Sequence, residues 1–246
     1  MAHRGGGQWE PNLGKENTMS AFGQAVQLGY RYIETDVQAT ADGRLVCMHD
    51  PTLERMTGAP GCVADYTAAE VAQFTIGDEP IAFFDEVVDR FPTTRFNVDL
   101  KTEGAIEPLV RAITSHRLHD RILVDSFSQS RLSHFRTLTK GQIPTAMGVP
   151  GVAWTAFVPF VSAIVSSPAP AIQLPYNKKV GSLEIPVVTR SVVTRVHQLG
   201  KVIHVWTIDD PDLMEHLIDL GVDGIITDRP DLLKDILIRR NLWESA

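Results

Sequence analysis

Short runs rich in β-branched and apolar residues alternate along the chain with longer stretches whose apolar positions recur every three or four residues. The short runs, at 1–3, 32–37, 96–101, 122–126, 143–148, 171–174, 202–207 and 224–227, predict strands. The longer stretches, at 18–28, 81–91, 105–116, 129–138, 153–163, 189–199, 212–220 and 231–239, predict amphipathic helices. Local punctuation agrees. Asp209-Asp210-Pro211 sets a capping carboxylate ahead of a proline at a helix start, and Gly29, Gly200 and Gly221 follow the last apolar positions of three helices. Eight strands, each followed by a helix, read as parallel βα units, hence an α/β fold of the (β/α)8 TIM-barrel class. A doubly wound open sheet is the competing architecture. The count of eight and the polar residues at strand ends favour closure. No repeat and no low-complexity linker interrupts the pattern, so one domain spanning 1–246 is expected.

The stretch 32–50 departs from this rhythm. It carries Asp42-Gly43 between alternating residues, the strongest short-range hairpin signal. With those two residues as the turn, Ala41 pairs with Arg44 and Asp36 lies opposite His49. The second strand then overshoots the barrel rim, turns, and brings His49 back beside Asp36, where opposed residues have Cβ atoms ~5 Å apart. Residues 51–80 are expected to follow as a small inserted cap over the mouth.

Composition narrows the partners. The chain has 246 residues, 43% hydrophobic and 22% charged, an ordinary globular balance. Its 23 basic against 30 acidic residues leave a formal charge of -7, which argues against nucleic acid but not against one small phosphate held by local cations. No apolar run approaches the ~20 residues of a membrane span, so no stable membrane insertion is expected. Two cysteines, Cys47 and Cys62, do not make a disulfide scaffold of a chain this long. Met1-Ala2-His3-Arg4 carries no signal-peptide core. The expectation is a reduced, cytoplasmic protein whose oligomeric state the sequence does not specify.

In barrels, chemistry gathers at the C-terminal ends of the strands. The first strand ends in His3-Arg4-Gly5-Gly6, the second carries Glu34 and Asp36 on one face, and the hairpin returns His49-Asp50. The third strand carries Asp99 and Lys101, the seventh His204 and Trp206, and the eighth ends in Thr227-Asp228. Glu34, Asp36 and Asp99 together form a hard-oxygen set suited to one divalent cation, Ca2+ or Mg2+. His3 and His49 can divide proton removal and delivery, and Arg4 and Lys101 can neutralise a phosphate. The assembly suits metal-assisted phosphoester cleavage. Each part also has a plainer reading. Glu-x-Asp can be a solvated face, Asp99 and Lys101 a simple ion pair, and Glu16-Asn17-Thr18 a helix cap. His204 and Trp206 can fill barrel layers, although Trp206 can equally wall a glycerol site.

Taken in order, the motifs resemble one family. They are His3-Arg4-Gly5, Glu16-Asn17-Thr18, Glu34-x-Asp36-Val37, Thr40-x-Asp42-Gly43, His49-Asp50-Pro51-Thr52-Leu53, Asn97-Val98-Asp99-Leu100-Lys101, Val205-Trp206-Thr207 and 221–230. Together they are similar to the glycerophosphodiester phosphodiesterases, over essentially the whole chain and most densely at its two ends. The resemblance implies a phosphodiesterase-type TIM barrel that hydrolyses glycerophosphodiesters to an alcohol and sn-glycerol 3-phosphate with Ca2+ or Mg2+. It implies His3 and His49 as general acid and base, Glu34, Asp36 and Asp99 as metal ligands, and Arg4 and Lys101 as phosphate contacts. It also implies attack by the neighbouring glycerol hydroxyl to give a cyclic phosphate. Related barrels acting on lysophospholipid or sphingolipid head groups are the alternative, with Tyr66, Phe74, Trp154, Phe157 and Phe160 as the apolar rim it needs. A non-catalytic phosphate-binding barrel is a third reading, disfavoured by the paired histidines and acids.

Three departures from the family pattern bear on the site. The strand-three acid is commonly Glu; Asp99 is one methylene shorter, enough to place a water between it and a metal. Lys15 replaces the usual Pro, in a loop (6–15) longer than the shortest family versions. Only Met1-Ala2 stand before His3 where members carry several apolar residues, so a start lying upstream and unpaired edges beside the first strand are expected.

Overall fold

The computed structural model describes residues 1–148, 167–180 and 183–243. Its strands are β1 Ala2–His3, β2 Tyr32–Ala39, β3 Leu45–Cys47, β4 Thr75–Ile76, β5 Glu79–Pro80, β6 Arg95–Leu100, β7 Ile122–Asp125, β8 Ala171–Pro175, β9 Asn177–Val180, β10 Leu183–Pro186, β11 Val202–Trp206 and β12 Gly224–Ile225. β1, β2, β6 and β7 lie side by side and parallel, as do β8, β11 and β12. Parallel bridges Val124↔Thr145 and Ala146↔Ala171 join the two groups on one side, and Ala2↔Thr227 joins them on the other. The ring therefore closes with eight staves, the fifth reduced to Thr145 and Ala146. β1 is paired on both flanks: the His3 amide donates to Thr227 O at 2.8 Å, and the Arg4 amide to Glu34 O at 3.0 Å. The unpaired edges expected beside it do not occur. The predicted helix 153–163 lies outside the described residues.

Alternation along β2 explains how a strand buried from Ile33 to Ala39 can carry acids. Ile33 and Val37 join Val98, Leu100 and Val124 in the cluster packed under the helices, while Glu34 and Asp36 take the other face. The helices filling this layer are α1 (Met19–Gln27), with Phe22 and Ala25, then after the short helices α2 (Glu54–Thr57) and α3 (Ala68–Val71), α4 (Phe84–Arg90) and α5 (Ile106–Ser115). The rest are α6 (Gln129–Leu138), α7 (Arg190–Gln198), α8 (Pro211–Leu220) and α9 (Pro230–Arg239). Thr18 caps α1 through Ala21, and Asp210 caps α8 through Leu213 ahead of Pro211. Gly221 ends α8 in the left-handed conformation at φ +87°.

The hairpin is one residue out of the predicted register. β2 and β3 pair Val37↔Cys47, Gln38↔Val46 and Ala39↔Leu45, so Asp36 receives the Met48 amide at 3.0 Å and does not face His49. The loop holds three residues, with Gly43 at φ +80° and its amide donating to Thr40 O at 2.9 Å. Its length follows from Asp42, whose carboxylate accepts from Thr40 Oγ1 at 2.6 Å and from the Ala68 amide at 2.9 Å. Beyond β3, α2, α3, β4 and β5 surround their own apolar cluster of Met48, Leu53, Val63, Val71, Ile76 and Ile81.

Candidate active site

His3 is the last residue of β1 and lies in register with Glu34. Its Nδ1 is 2.8 Å from Asp228 Oδ1, and its Nε2 is 3.7 Å from Glu34 Oε2. Burial opposes its protonation, but Glu34 and Asp228 outweigh burial and raise its pKa. The chain then turns sharply. Arg4 sits at φ +50° and Gly5 at φ +85°, where a Cβ would fall 2.8 Å from the Ala21 carbonyl carbon. That turn sends the Arg4 guanidinium inward: Nε lies 3.1 Å from Asp36 Oδ2, and Nη1 3.1 Å from Glu16 Oε1.

The acids form a row. Asp36 on β2, Asp99 on β6 and Asp125 on β7 are successive register partners, with Glu34 one step below Asp36 on the same face. Lys101 Nζ bridges Asp36 Oδ1 at 2.9 Å and Asp99 Oδ2 at 2.7 Å. Asn17 Nδ2 donates to Asp36 Oδ2 at 2.9 Å. Burial pushes Asp36 upward, but Lys101 and Arg4 hold it below the usual carboxylate range. Burial, with Asp36 adding to it, lifts Glu34 to about 8. Burial and Asp99 lift Asp125 to about 7. Burial also raises Asp99 in spite of Lys101. The plain ion pair between Asp99 and Lys101 is thus present, extended to Asp36.

Four carboxyls face two cations here. Glu34 and Asp125 keep protons near neutrality unless a further positive charge enters. Asp99 Oδ1 is buried with no hydrogen-bond partner. This hard-oxygen chemistry, with its surplus charge and an orphaned oxygen, fits a divalent cation. As the side chains stand, no group of three or more His, Cys, Asp or Glu among the described residues converges on one point, because Arg4 and Lys101 hold Asp36.

His49 follows β3 and touches none of the other predicted site residues directly. Its Nδ1 is 2.6 Å from Asp50 Oδ1, and Gln38 Nε2 pins its carbonyl at 3.2 Å. Trp206, at the end of β11, packs edge-on against Phe127 with ring centroids 5.5 Å apart, and Lys101 Nζ lies 5.8 Å from the Phe127 ring. Phe127 is 59% exposed. His204 fills a barrel layer with Asn97 and Gln173, and burial lowers it to about 4, so it stays neutral. Tyr66 and Phe74 pack edge to face, with ring centroids 5.2 Å apart, against the apolar cluster beyond β3; Trp154, Phe157 and Phe160 lie outside the described residues.

Sequence reasoning placed Asp50 and Asp228 at strand ends and Glu16 and Asn17 in a helix cap, but gave none of them, nor Asp125, a catalytic or binding role. Glu16-Asn17-Thr18 does cap α1, as the plainer reading has it, but only Thr18 serves the helix. Asn17, at φ +61°, turns its amide to Asp36 and Thr35, and Glu16 reaches Arg4. Asp125 was recoverable by aligning strand ends, because it continues the row of Asp36 and Asp99.

A closed ring of eight parallel staves, carrying carboxylate-anchored histidines and partly buried cations, defines the class by its fold, a TIM barrel. The sequence model of the Glycerophosphoryl diester phosphodiesterase family matches residues 3–232, and the chain belongs to that family. It is 39% identical to the "Probable glycerophosphodiester phosphodiesterase 2" of Mycobacterium tuberculosis, over 100% of this chain and 93% of that protein. It is 30% identical to a glycerophosphodiester phosphodiesterase of Bacillus altitudinis, over 94% of each. Among solved structures it superposes on an Oleispira antarctica phosphodiesterase in complex with the product sn-glycerol-3-phosphate with a TM-score of 0.79 and 22% identity, covering 96% and 95% of the two chains. The Thermotoga maritima glycerophosphodiester phosphodiesterase gives a TM-score of 0.75 and 23% identity, covering 96% of each.

Proposed function

We propose that this chain hydrolyses glycerophosphodiesters to an alcohol and sn-glycerol 3-phosphate, with one divalent cation, Ca2+ or Mg2+, held by Glu34, Asp36 and Asp99. The observation that carries this reading is the matched anchoring of two histidines: Nδ1 of His3 on Asp228 at 2.8 Å, and Nδ1 of His49 on Asp50 at 2.6 Å. Each carboxylate fixes a ring and its tautomer, leaving Nε2 for proton transfer. His3, with the Asp228 carboxylate on Nδ1 to stabilise its protonated form, suits the acid. Its Nε2 gives a proton to the departing alcohol oxygen. His49 Nε2 takes the proton of the glycerol 2-hydroxyl as that oxygen bonds to phosphorus and the bond to the alcohol breaks. Water then opens the cyclic phosphate with the two proton transfers reversed. Arg4 and Lys101 offset the phosphate charge, and Trp206 walls the glycerol. The bound cation would supply further neutralisation of that charge.

The test is a panel of choline, ethanolamine, inositol and glycerol diesters with lysophosphatidylcholine beside them, each with Ca2+, Mg2+ or EDTA. His3→Ala and His49→Ala are expected to lower kcat on the diesters by about 10²–10⁴-fold. Substantial turnover in both variants removes their assignment. Hydrolysis of lysophosphatidylcholine alone moves the protein to the lipid-acting reading.

A further inference from the structure

We propose that Arg55, on helix α2, is a positioning residue that sets His49 and Arg4 together for the reaction assigned above, on which this inference rests. Its guanidinium faces two carboxylates at once. Nε donates to Asp50 Oδ2, while Nη1 and Nη2 donate to Glu16 Oε2 at 3.2 Å and Glu16 Oε1 at 2.7 Å. Both acids pass the contact inward. Asp50 holds His49 Nδ1 at 2.6 Å. Glu16 holds Arg4 Nη1 at 3.1 Å, and Arg4 in turn meets Asp36 at 3.1 Å. One residue of α2 thus spans the acid–base side and the phosphate side of the site.

Arg55 is 47% exposed, so about half of its side chain takes no part in packing. Exposed ion pairs contribute little to stability. The contacts are better explained by geometry. A planar guanidinium presents several donors in a fixed fork, and here the fork fixes the separation of Asp50 and Glu16. A lysine ammonium is a single point charge without that planar fork, so it does not hold the two carboxylates at a fixed separation and orientation. His49 has no hydrogen bond or ion pair to the row of acids, and Gln38 fixes only its backbone, so this route through Asp50 and Arg55 is what links its ring to Arg4.

The experiment compares Arg55→Ala, Arg55→Lys, Asp50→Asn and the double variant Asp50→Asn/Arg55→Ala by kcat, KM, Tm and 15N NMR of the His49 ring. Expected are a loss in kcat of about tenfold or more in both single Arg55 variants, Tm within about two degrees of wild type, and a double variant no slower than Asp50→Asn alone. Arg55→Ala is also expected to change the His49 ring nitrogen shifts, as Asp50 loses its clamp. Full kcat in Arg55→Lys, multiplicative losses in the double variant, unchanged His49 shifts, or a Tm that falls in step with activity would each overturn the proposal. The NMR separates the two readings. Wild type inactive on every diester, with His49 shifts still dependent on Arg55, sinks the function and keeps the coupling. Active wild type with an indifferent His49 sinks the coupling alone.

Discussion

Asp125 shows what it costs to gather acids on one rim. Its carboxyl stands beside Asp99, burial is the larger influence, and its pKa rises to about 7 from an ordinary 3.8. Folding therefore favours the protonated acid. The stability tied to that form is complete below about pH 4 and is lost as pH rises through 7. Asparagine keeps the shape without the charge. Asp125→Asn, with EDTA present, is expected to raise Tm by several degrees at pH 8 and by much less at pH 5. An equal gain at both pH values would show that ionisation is not the cause. Sequence reading found Glu34, Asp36 and Asp99 because each lies two positions from another rim residue on its own strand. Asp125 has no such partner along β7; its neighbour is Asp99, across the sheet. Periodicity reports relations along a strand, whereas this cluster is organised across strands.

At the level of elements, legibility followed how much of each strand is decided by its own residues. β2 and β6 were readable because β-branched or apolar residues alternate along them, and β11 because it is a short apolar run broken only by His204. The fifth stave, expected over 143–148, pairs only at Thr145 and Ala146, so tertiary closure places it rather than its own pattern. The hairpin register failed because Asp42 is recruited by the Ala68 amide, a contact from a separate element that lengthens the loop by one residue. β12 makes the same point through packing. A Cβ on Gly224 would fall 2.7 Å from His204 Cδ2 on β11, so the glycine is set by the neighbouring strand. Gly224→Ala is expected to cost about 1–3 kcal/mol by overpacking, read as a drop in Tm. The same change should cost clearly less in a His204→Ala background, where the obstructing ring is gone. Additive losses in that double-mutant cycle would mean the clash is not what excludes a side chain at 224.

Across the whole molecule, barrel closure and the site are one event. The bridge from Ala2 to Thr227 brings Asp228, which follows the last stave, against His3 on the first, and the register of β1, β2, β6 and β7 sets His3, Glu34 and the three aspartates along one rim. That arrangement concentrates negative charge in a chain that is already at -7 overall. Arg4 and Lys101 offset part of it. The remainder is carried as protons on Glu34 and Asp125, a state a divalent cation can replace. A cation that binds only the closed ring must stabilise it by mass action, by about 2.7 kcal/mol at a hundredfold excess over Kd. For a domain of this size that corresponds to a rise in Tm of about 5–10 °C. Ca2+ or Mg2+ should produce it in wild type, EDTA should reverse it, and Glu34→Gln should abolish it while leaving the EDTA-state Tm equal or higher. A Tm indifferent to both ions, or an undiminished rise in Glu34→Gln, would place the cation elsewhere and leave the row of acids without its counter-charge.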